Sequence, residues 1–537
     1  MKAAALSRAP ADAPRLPAWV VLAGIAVWLA CLAWARPLTL PDEGRYAGVA
    51  WEMLRSDSPM VPLMNGMPYF HKPPLYYWLA QMSFAVFGLN EWAARLPSLL
   101  IAWASVAALY AFARRYRGER FALTAAAVLS TMPFFYGGAQ FANTDMSVAG
   151  LIALCVLAGV HTALCAAAGQ PWRRWALTTA AAAGLAVLAK GLIGLVLPGA
   201  IVLGWLLLRR DWRGIKALLW PPAIGMFLLV AVPWFAYLQW RYPGFFHYFF
   251  IYQQFQRFTL TGFNNVQPFW FYPPVLIGLT LPWSLWLGGA LRRSFWRHED
   301  QDGLRGLMLL WLAVIVGFFS IPSSKLIGYV LPALPPLAFL VADLVLPAWE
   351  QGRRARVWVS AGVAAALCVT GIAVATLKPR GGNGPLARQV ITLMQPGDTT
   401  VALHQFPFDL GVYGNLREPV WVVDDWRNPE IPTRDNWRKE LYDAAQFEPE
   451  VGQGVLVSNE DFNARLCRAD TGARFWIWGQ PSDQDAYPAL RGESALVGDS
   501  RRRVWRIEVN DAVRQRVCGQ TPTGGSPRKS APPEQAE

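Results

Sequence analysis

Charge is scarce in this sequence. Only 16% of its 537 residues are Asp, Glu, Lys or Arg, while 54% are hydrophobic; a soluble chain of this size carries about 25% charge. A large soluble core is therefore set aside. Histidine is also rare, with five in the chain, and the six cysteines never stand at C-x-x-C or C-x-x-x-C spacing, so no zinc module is written into the sequence. The formal charge is +13, yet no basic helix with interleaved aromatics accompanies it, which argues against a nucleic-acid partner. Internal repeats and paired halves, the marks of many transporters, are missing too.

What the chain does have is apolar runs of about 20 residues, the length that crosses a bilayer core. They predict membrane helices near 16–35, 96–113, 121–138, 146–169, 175–189, 191–208, 217–239, 269–291, 306–322, 326–348 and 357–377. The Pro-rich stretch 331–336 could split one of them, so eleven to thirteen spans are expected. Lys2, Arg8 and Arg15 precede the first run as in a signal peptide, but the run is long and more spans follow, so it reads as a membrane helix. With the N-terminus in the cytoplasm, alternate loops collect Arg114, Arg115, Arg117 and Arg120; Arg173 and Arg174; Arg209, Arg210, Arg213 and Lys216; Arg292, Arg293 and Arg297; and Arg353, Arg354 and Arg356. That is the cytoplasmic bias of a multi-pass protein. The opposite loops, 36–95, 139–145, Lys190, 240–268, 323–325 and everything after 378, then face the periplasm.

The fold class expected is thus a polytopic α-helical membrane protein with a C-terminal periplasmic α/β domain. The membrane domain covers 1–379, the α/β domain 380–520, and 521–537, rich in Pro, Gly, Ser and charge, is expected to be disordered. Strands are read at 400–405, 419–423, 454–458, 474–478 and 504–509, with helices near 384–395 and 434–446. Cys31, Cys155, Cys165 and Cys368 fall in apolar runs as packing residues. Cys467 and Cys518 fall in the polar region, where oxidising surroundings would allow a disulfide that the sequence alone leaves open.

Ionisable residues at membrane level are costly and usually functional. Here Asp42, Glu43, Arg45, Lys72, Asp145, Lys190, Arg257 and Lys325 all fall at outer helix ends or in outer loops. Each taken alone reads equally as an interfacial anchor; the acidic members make that reading weaker for the set. Asp42 and Glu43 open an amphipathic stretch, where acids also serve as caps; the functional reading is a carboxylate that orients or deprotonates an acceptor. Lys72 is followed by Pro73 and Pro74, which stiffen the backbone around a compact cation suited to a phosphate. The aromatics after it fit an interfacial belt or a groove for a prenyl chain.

The motifs PDEGRYAGVAWEML, NGMPYFHKPPLYYWL, NEWAARLPS, ANTDM, GLAVLAKGLIGLVLPG, FQRF followed by PFWFYPP, and SSKLIGYVLPALPP occur in that order over about 35–345. Together they resemble the aminoarabinose transferases of lipid A modification and, more broadly, the protein O-mannosyltransferase-like families with the GT-C fold. The resemblance implies an inverting glycosyltransferase of the bacterial inner membrane with its active site in the periplasm. Its donor would be a sugar on polyprenyl (undecaprenyl) phosphate and its acceptor lipid A, or another glycan or a protein. It implies Asp42 and Asp145 as catalytic acids, and Arg45, Lys72, Lys190, Arg257 and Tyr329 around the donor phosphate. Glu43, Tyr69, His71 and Lys325 are further candidates for the cavity. Some relatives carry an acid where this chain has His71, and a Glu-His pair where it has Gln253-Gln254. One His facing two neutral amides is a poor metal site, so no metal and no cofactor are expected. Two alternatives stay open: hexosyl or mannosyl transfer to a protein or polysaccharide, and, from another class, a lipid or sugar transporter.

Overall fold

The computed structural model describes residues 17–256, 265–297, 303–378, 381–416 and 418–518. The predicted tail, the N-terminal cations and Arg257 lie outside them. Two compact units emerge, one of Met1–Leu63 with Tyr69–Gly382, the other of Met64–Pro68 with Asn383–Glu537. The second unit thus takes in five residues of the first outer loop, a loan that the predicted boundary at 379/380 does not anticipate.

The first unit is helical. Glu91–Arg117, Thr144–Ala167, Pro221–Arg241, Ile327–Glu350 and Arg354–Leu377 are each long and apolar enough to cross a membrane. A sixth span forms if Glu119–Thr131 and Pro133–Ala139, bent by 68°, are counted together. The bend falls at Pro133, which cannot donate a helical hydrogen bond. Every other predicted run also contains a helix, but a shorter or interrupted one: Ala18–Ala30, Ile193–Leu208 and Leu304–Ser320 are short, and 269–291 breaks into Tyr272–Leu279 and Trp283–Leu291. Arg173–Lys190 carries Arg173, Arg174 and Lys190 within one helix. Among the described residues five helices, or six with the bent pair, have the full length and apolarity of a span, and Pro and charge shorten or interrupt the helices in the other predicted runs. The Pro-rich stretch 331–336 does not split its span; it forms a tight turn that runs directly into Leu334–Glu350.

The spans show how a low-charge sequence is used. In Arg354–Leu377 only Ser360, Ala364, Cys368 and Ile372 are buried, one stripe at a spacing of four that lies on a single helical face. Trp358, Val359, Val363, Leu367, Val369, Val374 and Leu377 are exposed, an apolar surface that only lipid would cover. This chain is a multi-pass membrane protein. Cys155, Cys165 and Cys368 are buried as packing residues, whereas Cys31 is exposed at the end of its helix, a correction to its expected role.

The second unit holds a six-stranded sheet ordered β5-β4-β3-β6-β8-β7. These are β3 (Thr399–Leu403), β4 (Trp421–Val423), β5 (Leu456–Val457), β6 (Arg474–Gly479), β7 (Val497–Gly498) and β8 (Arg503–Glu508). Strands β5, β4, β3 and β6 run parallel, with β8 antiparallel to β6 and β7. Phe475, Trp476, Ile477 and Trp478 are all buried, as in a central strand covered on both faces. The five predicted strands all appear, and β7 is additional. The loaned hairpin, β1 (Leu63–Met64) and β2 (Met67–Pro68), turns on Asn65 and Gly66 at φ 55° and 80°, a pair suited to a type I′ turn. Asn65 grips the second unit by donating from Nδ2 to the Val420 carbonyl at 2.9 Å and accepting from the Val420 N–H at 2.7 Å.

Cys467 and Cys518 are bridged, closing a loop of 51 residues between helix Asn459–Arg468 and the end of helix Asp511–Val517. Replacing both by Ser removes about 2–4 kcal/mol of stability from the second unit. Limited proteolysis of the full-length protein in detergent is expected to cut this unit sooner in the double variant and leave the helical unit unchanged.

Candidate active site

The end of the helical unit that carries the Asp42 motif is organised by one carboxylate. Glu43, in the first turn of helix Asp42–Arg55, is fully buried. Its Oε1 accepts from Arg95 Nε at 2.9 Å, Arg36 Nη2 at 3.1 Å and the Ala142 N–H at 2.9 Å. Its Oε2 accepts from Arg95 Nη2 at 3.0 Å, the Thr39 N–H at 2.9 Å and Arg36 Nη1. Burial alone would push this carboxyl up, but the two guanidiniums hold it well below the usual carboxylate range. Arg95 also binds the carbonyls of Ala33 and Arg36, at 2.7 and 2.9 Å, and Arg36 binds that of Gln140 at 2.7 Å. Glu43, expected among the cavity candidates, is instead an anchor with both oxygens filled; the place it anchors is one residue from Asp42.

Asp42 and Arg45 sit one turn apart on that helix and form an ion pair. Asp42 keeps 45% of its side chain exposed, Arg45 only 16%. Tyr46, next along, is buried against Tyr76 and Tyr77, with ring centroids 5.8 and 6.1 Å away. Burial raises the Tyr46 hydroxyl well above its ordinary range, with Arg45 opposing and Asp42 and Asp145 adding to the rise. Tyr46 is thus a neutral wall that feels both candidate acids.

Asp145 lies in the first turn of Thr144–Ala167, where Asn143 caps the helix by accepting from the Asp145 N–H at 2.9 Å. Its carboxylate pairs with Lys190, the last residue of Arg173–Lys190, where a cation also complements the helix dipole. Gly191 ends that helix at φ 87°, a conformation that disfavours a β-carbon, and its α-carbon lies against the Gln254 side chain, where an added β-carbon would sit 2.8 Å from Oε1. Lys190 Nζ lies 4.4 Å above the Tyr329 ring, a cation–π contact. Gly328 faces Asp145 so closely that a β-carbon would overlap its Oδ2. Asp145 and Lys190 are nearly covered, at 14% and 11% exposure.

The Lys72 motif approaches from another side. Tyr69 stacks on His71 at 4.7 Å, and His71 lies 5.9 Å from the ring of Tyr248. Tyr248 accepts from Gln253 Nε2 at 3.0 Å within the π-helical segment His247–Gln256, a rare geometry often found at functional sites. This segment faces His71 through Tyr248 and Gly191 through Gln254, joining the Lys72 and Lys190 regions. Lys72 is half-buried between the packed Tyr69–His71 pair and the helix carrying Tyr76 and Tyr77. Lys325 goes elsewhere: it is 3% exposed, and its Nζ binds the carbonyls of Gln267, at 2.9 Å, and Pro322, so it staples its own loop and is no cavity residue. Arg257 lies outside the described residues.

The structure therefore groups Asp42, Arg45, Asp145, Lys190 and Tyr329 around Tyr46, with Tyr69 and His71 reached through the π-helical segment. Sequence reasoning named Gln254 only as a departure from relatives and gave no role to Tyr46 or Gly328; Gly328 left a readable signal as a Gly beside Tyr329 in a span end. Two outcomes follow. Glu43→Gln leaves two buried guanidiniums short of charge and lowers stability by about 3–5 kcal/mol, read as a fall in melting temperature in detergent. Gly328→Ala displaces the Asp145 carboxylate and lowers turnover roughly 100-fold with the melting temperature little changed.

Comparison with known proteins bears on this geometry. The family described as dolichyl-phosphate-mannose-protein mannosyltransferase matches residues 71–237, the stretch with Lys72, Asp145 and Lys190. An undecaprenyl phosphate-alpha-4-amino-4-deoxy-L-arabinose arabinosyl transferase of Pseudomonas aeruginosa is 28% identical over 492 residues, 89% of this chain and 88% of that protein. Its counterpart in Erwinia tasmaniensis is 32% identical over 62% of this chain and 61% of its own length. The crystal structure of ArnT from Cupriavidus metallidurans bound to undecaprenyl phosphate superposes with a TM-score of 0.73 at 24% identity, covering 91% of this chain and 98% of that one. The apo form of the same protein gives 0.72. The likeness of sequence and the likeness of fold agree with the order of motifs: the chain is similar to the aminoarabinose transferases over most of its length, shares the GT-C fold, and is a membrane glycosyltransferase.

Proposed function

We propose that this protein transfers 4-amino-4-deoxy-L-arabinose from undecaprenyl phosphate to a phosphate of lipid A, at the periplasmic face of the inner membrane. The donor and sugar follow from the names of its relatives, and the orientation from the Arg-rich loops on the opposite side. The observation that carries the reading is the pairing of Asp42 with Arg45 beside Asp145 with Lys190, because only Asp42 of the two acids is open to a reactant. In the reaction the bond between the anomeric carbon and the carrier phosphate oxygen breaks, and an acceptor oxygen bonds to that carbon from the opposite face. Undecaprenyl phosphate leaves with the electron pair. Arg45, Lys72 and Lys190 stabilise that charge, a role for fixed cations in a water-poor site. Asp42 orients the acceptor and steadies positive charge on the sugar; an acceptor phosphate is already ionised and needs no base. Asp145 holds Lys190 in place. No metal ion is assigned, since His71 faces Tyr248 and the segment of Gln253 and Gln254, which are poor ligands.

The match to protein mannosyltransferases over 71–237 favours one competing reading, transfer of a hexose to a protein or polysaccharide. Mass spectrometry of lipid A and of surface glycans, from cells with and without the gene, separates the two. An aminoarabinose mass on lipid A that appears only with the gene is the expected result. Unchanged lipid A with altered protein or polysaccharide glycans would select the competitor. In the same cells Asp42→Asn, at a half-exposed position, keeps its expression level and loses about 100- to 10,000-fold in transfer.

A further inference from the structure

The second unit has its own cluster of reactive side chains, distant in sequence and unused by the reaction above. In an open sheet with parallel strands, ligands bind outside the carboxyl ends of the strands. Three neighbouring parallel strands here, β3, β4 and β5, end at Leu403, Val423 and Val457. The residues that follow at once are His404, Asp424 and the Ser458–Asn459 pair. His404 Nδ1 lies 3.3 Å from Asp424 Oδ1, and its Nε2 lies 2.8 Å from the Tyr487 hydroxyl, which donates to Asn459 Oδ1 at 2.7 Å. Arg438 Nη2 donates to Asp424 Oδ1 at 2.9 Å.

Two features exceed what a structural ion pair needs. First, His404 adopts φ 52°, in the left-handed region that a β-carbon disfavours and that concentrates at functional sites. The strain keeps the imidazole at the strand end, with 37% of it exposed, while Asp424 beneath is 2% exposed. Second, the loop that carries Asp424 leads through Trp426 to Trp437 and Arg438. The two indoles are half-buried, 6.1 Å apart and edge to face, with Arg438 over Trp437 at 5.6 Å. Trp426 is fixed by its Nε1–H to the Val422 carbonyl at 2.9 Å.

We infer that this edge is a saccharide-binding site. Indole faces match the apolar faces of a pyranose ring, and a held carboxylate, guanidinium and imidazole offer planar pairs of hydrogen-bonding atoms to neighbouring hydroxyls. The charge of Arg438 is already met by Asp424, so the cluster has no spare cation for an anion alone. The inference rests on the transferase reading in one respect: the saccharide is assigned to the acceptor, which this unit holds by its sugar rings.

The test uses full-length protein in detergent and the unphosphorylated glucosamine β-1,6 disaccharide as probe, with inorganic phosphate as competitor. Saturation-transfer NMR and calorimetry are expected to show binding by the wild type. Trp437→Leu and Arg438→Lys, which preserve packing and charge, weaken it about 10-fold or more at unchanged melting temperature. In the transfer assay Trp437→Leu raises KM for the acceptor and leaves kcat in place. No binding by the wild type, equal binding by both folded variants, or full displacement by inorganic phosphate would overturn the site. Transfer without disaccharide binding removes this site and leaves the transferase reading standing; disaccharide binding lost in both variants, in a protein with no transfer activity, does the reverse.

Discussion

The candidate site of the helical unit depends on a buried negative charge. Glu43 takes six hydrogen bonds, four from the guanidiniums of Arg36 and Arg95 and two from backbone N–H groups of Thr39 and Ala142. A charge so far from water persists only when every lone pair is met. Once that condition holds, the start of helix Asp42–Arg55, the approach loop from 33 to 39, helix Glu91–Arg117 and the turn before Asn143 have one mutual arrangement. Asp42 and Asp145 stand at the edges of that arrangement, on the helix Glu43 opens and on the helix that follows Ala142. The anchor therefore sets the positions from which both candidate acids reach their partners.

Around the anchor, cations are held near the site before any donor arrives. Lys190 rests between the Asp145 carboxylate and the Tyr329 ring, and Arg45 rests on Asp42. Under the proposed reaction, a lipid phosphate entering the group would compete with those acids and need no reorganisation of the cations themselves, as in a preorganised site.

Much of this was legible in one sequence, and the parts that were not have physical reasons. The apolar runs, the Arg-rich loops and the strands of the second unit follow from periodicity and composition, which are local. Asp42, Arg45, Asp145 and Lys190 were readable because ionisable residues at span ends are rare in a chain so short of charge. Glu43 was misassigned because it neighbours Asp42 and has the same chemistry; helical geometry turns consecutive residues about 100° apart, so one acid faces in and the other out. Lys325 was read as a candidate cavity residue, but its partners are carbonyls, which leave no mark in a sequence. Where Pro interrupts a helix inside an apolar run was not legible, because hydropathy averages over it. The cluster at the strand ends of the second unit joins residues from 404 to 487 and only the parallel order of β5, β4 and β3 brings them together.

Exposure separates the chemical acids of the helical unit from the structural ones more sharply than motif membership does. Glu43 is fully buried between two arginines, and Asp343, inside the span Leu334–Glu350, pairs with Arg305 at 3.0 Å with 7% and 13% of the side chains exposed. Both are closed off from a reactant by burial, and removing either would strand a buried guanidinium. Asp145 and Lys190 are only slightly more open, which suits a pair that positions a phosphate-binding cation. Asp42, at 45% exposure with its partner at 16%, alone combines a free face with a cation held beside it. A carboxylate that must meet an incoming acceptor has to remain partly hydrated until that acceptor displaces the water, and under the proposed reaction the gradient of exposure from Glu43 through Asp145 to Asp42 would divide anchor, positioner and reactant-facing acid.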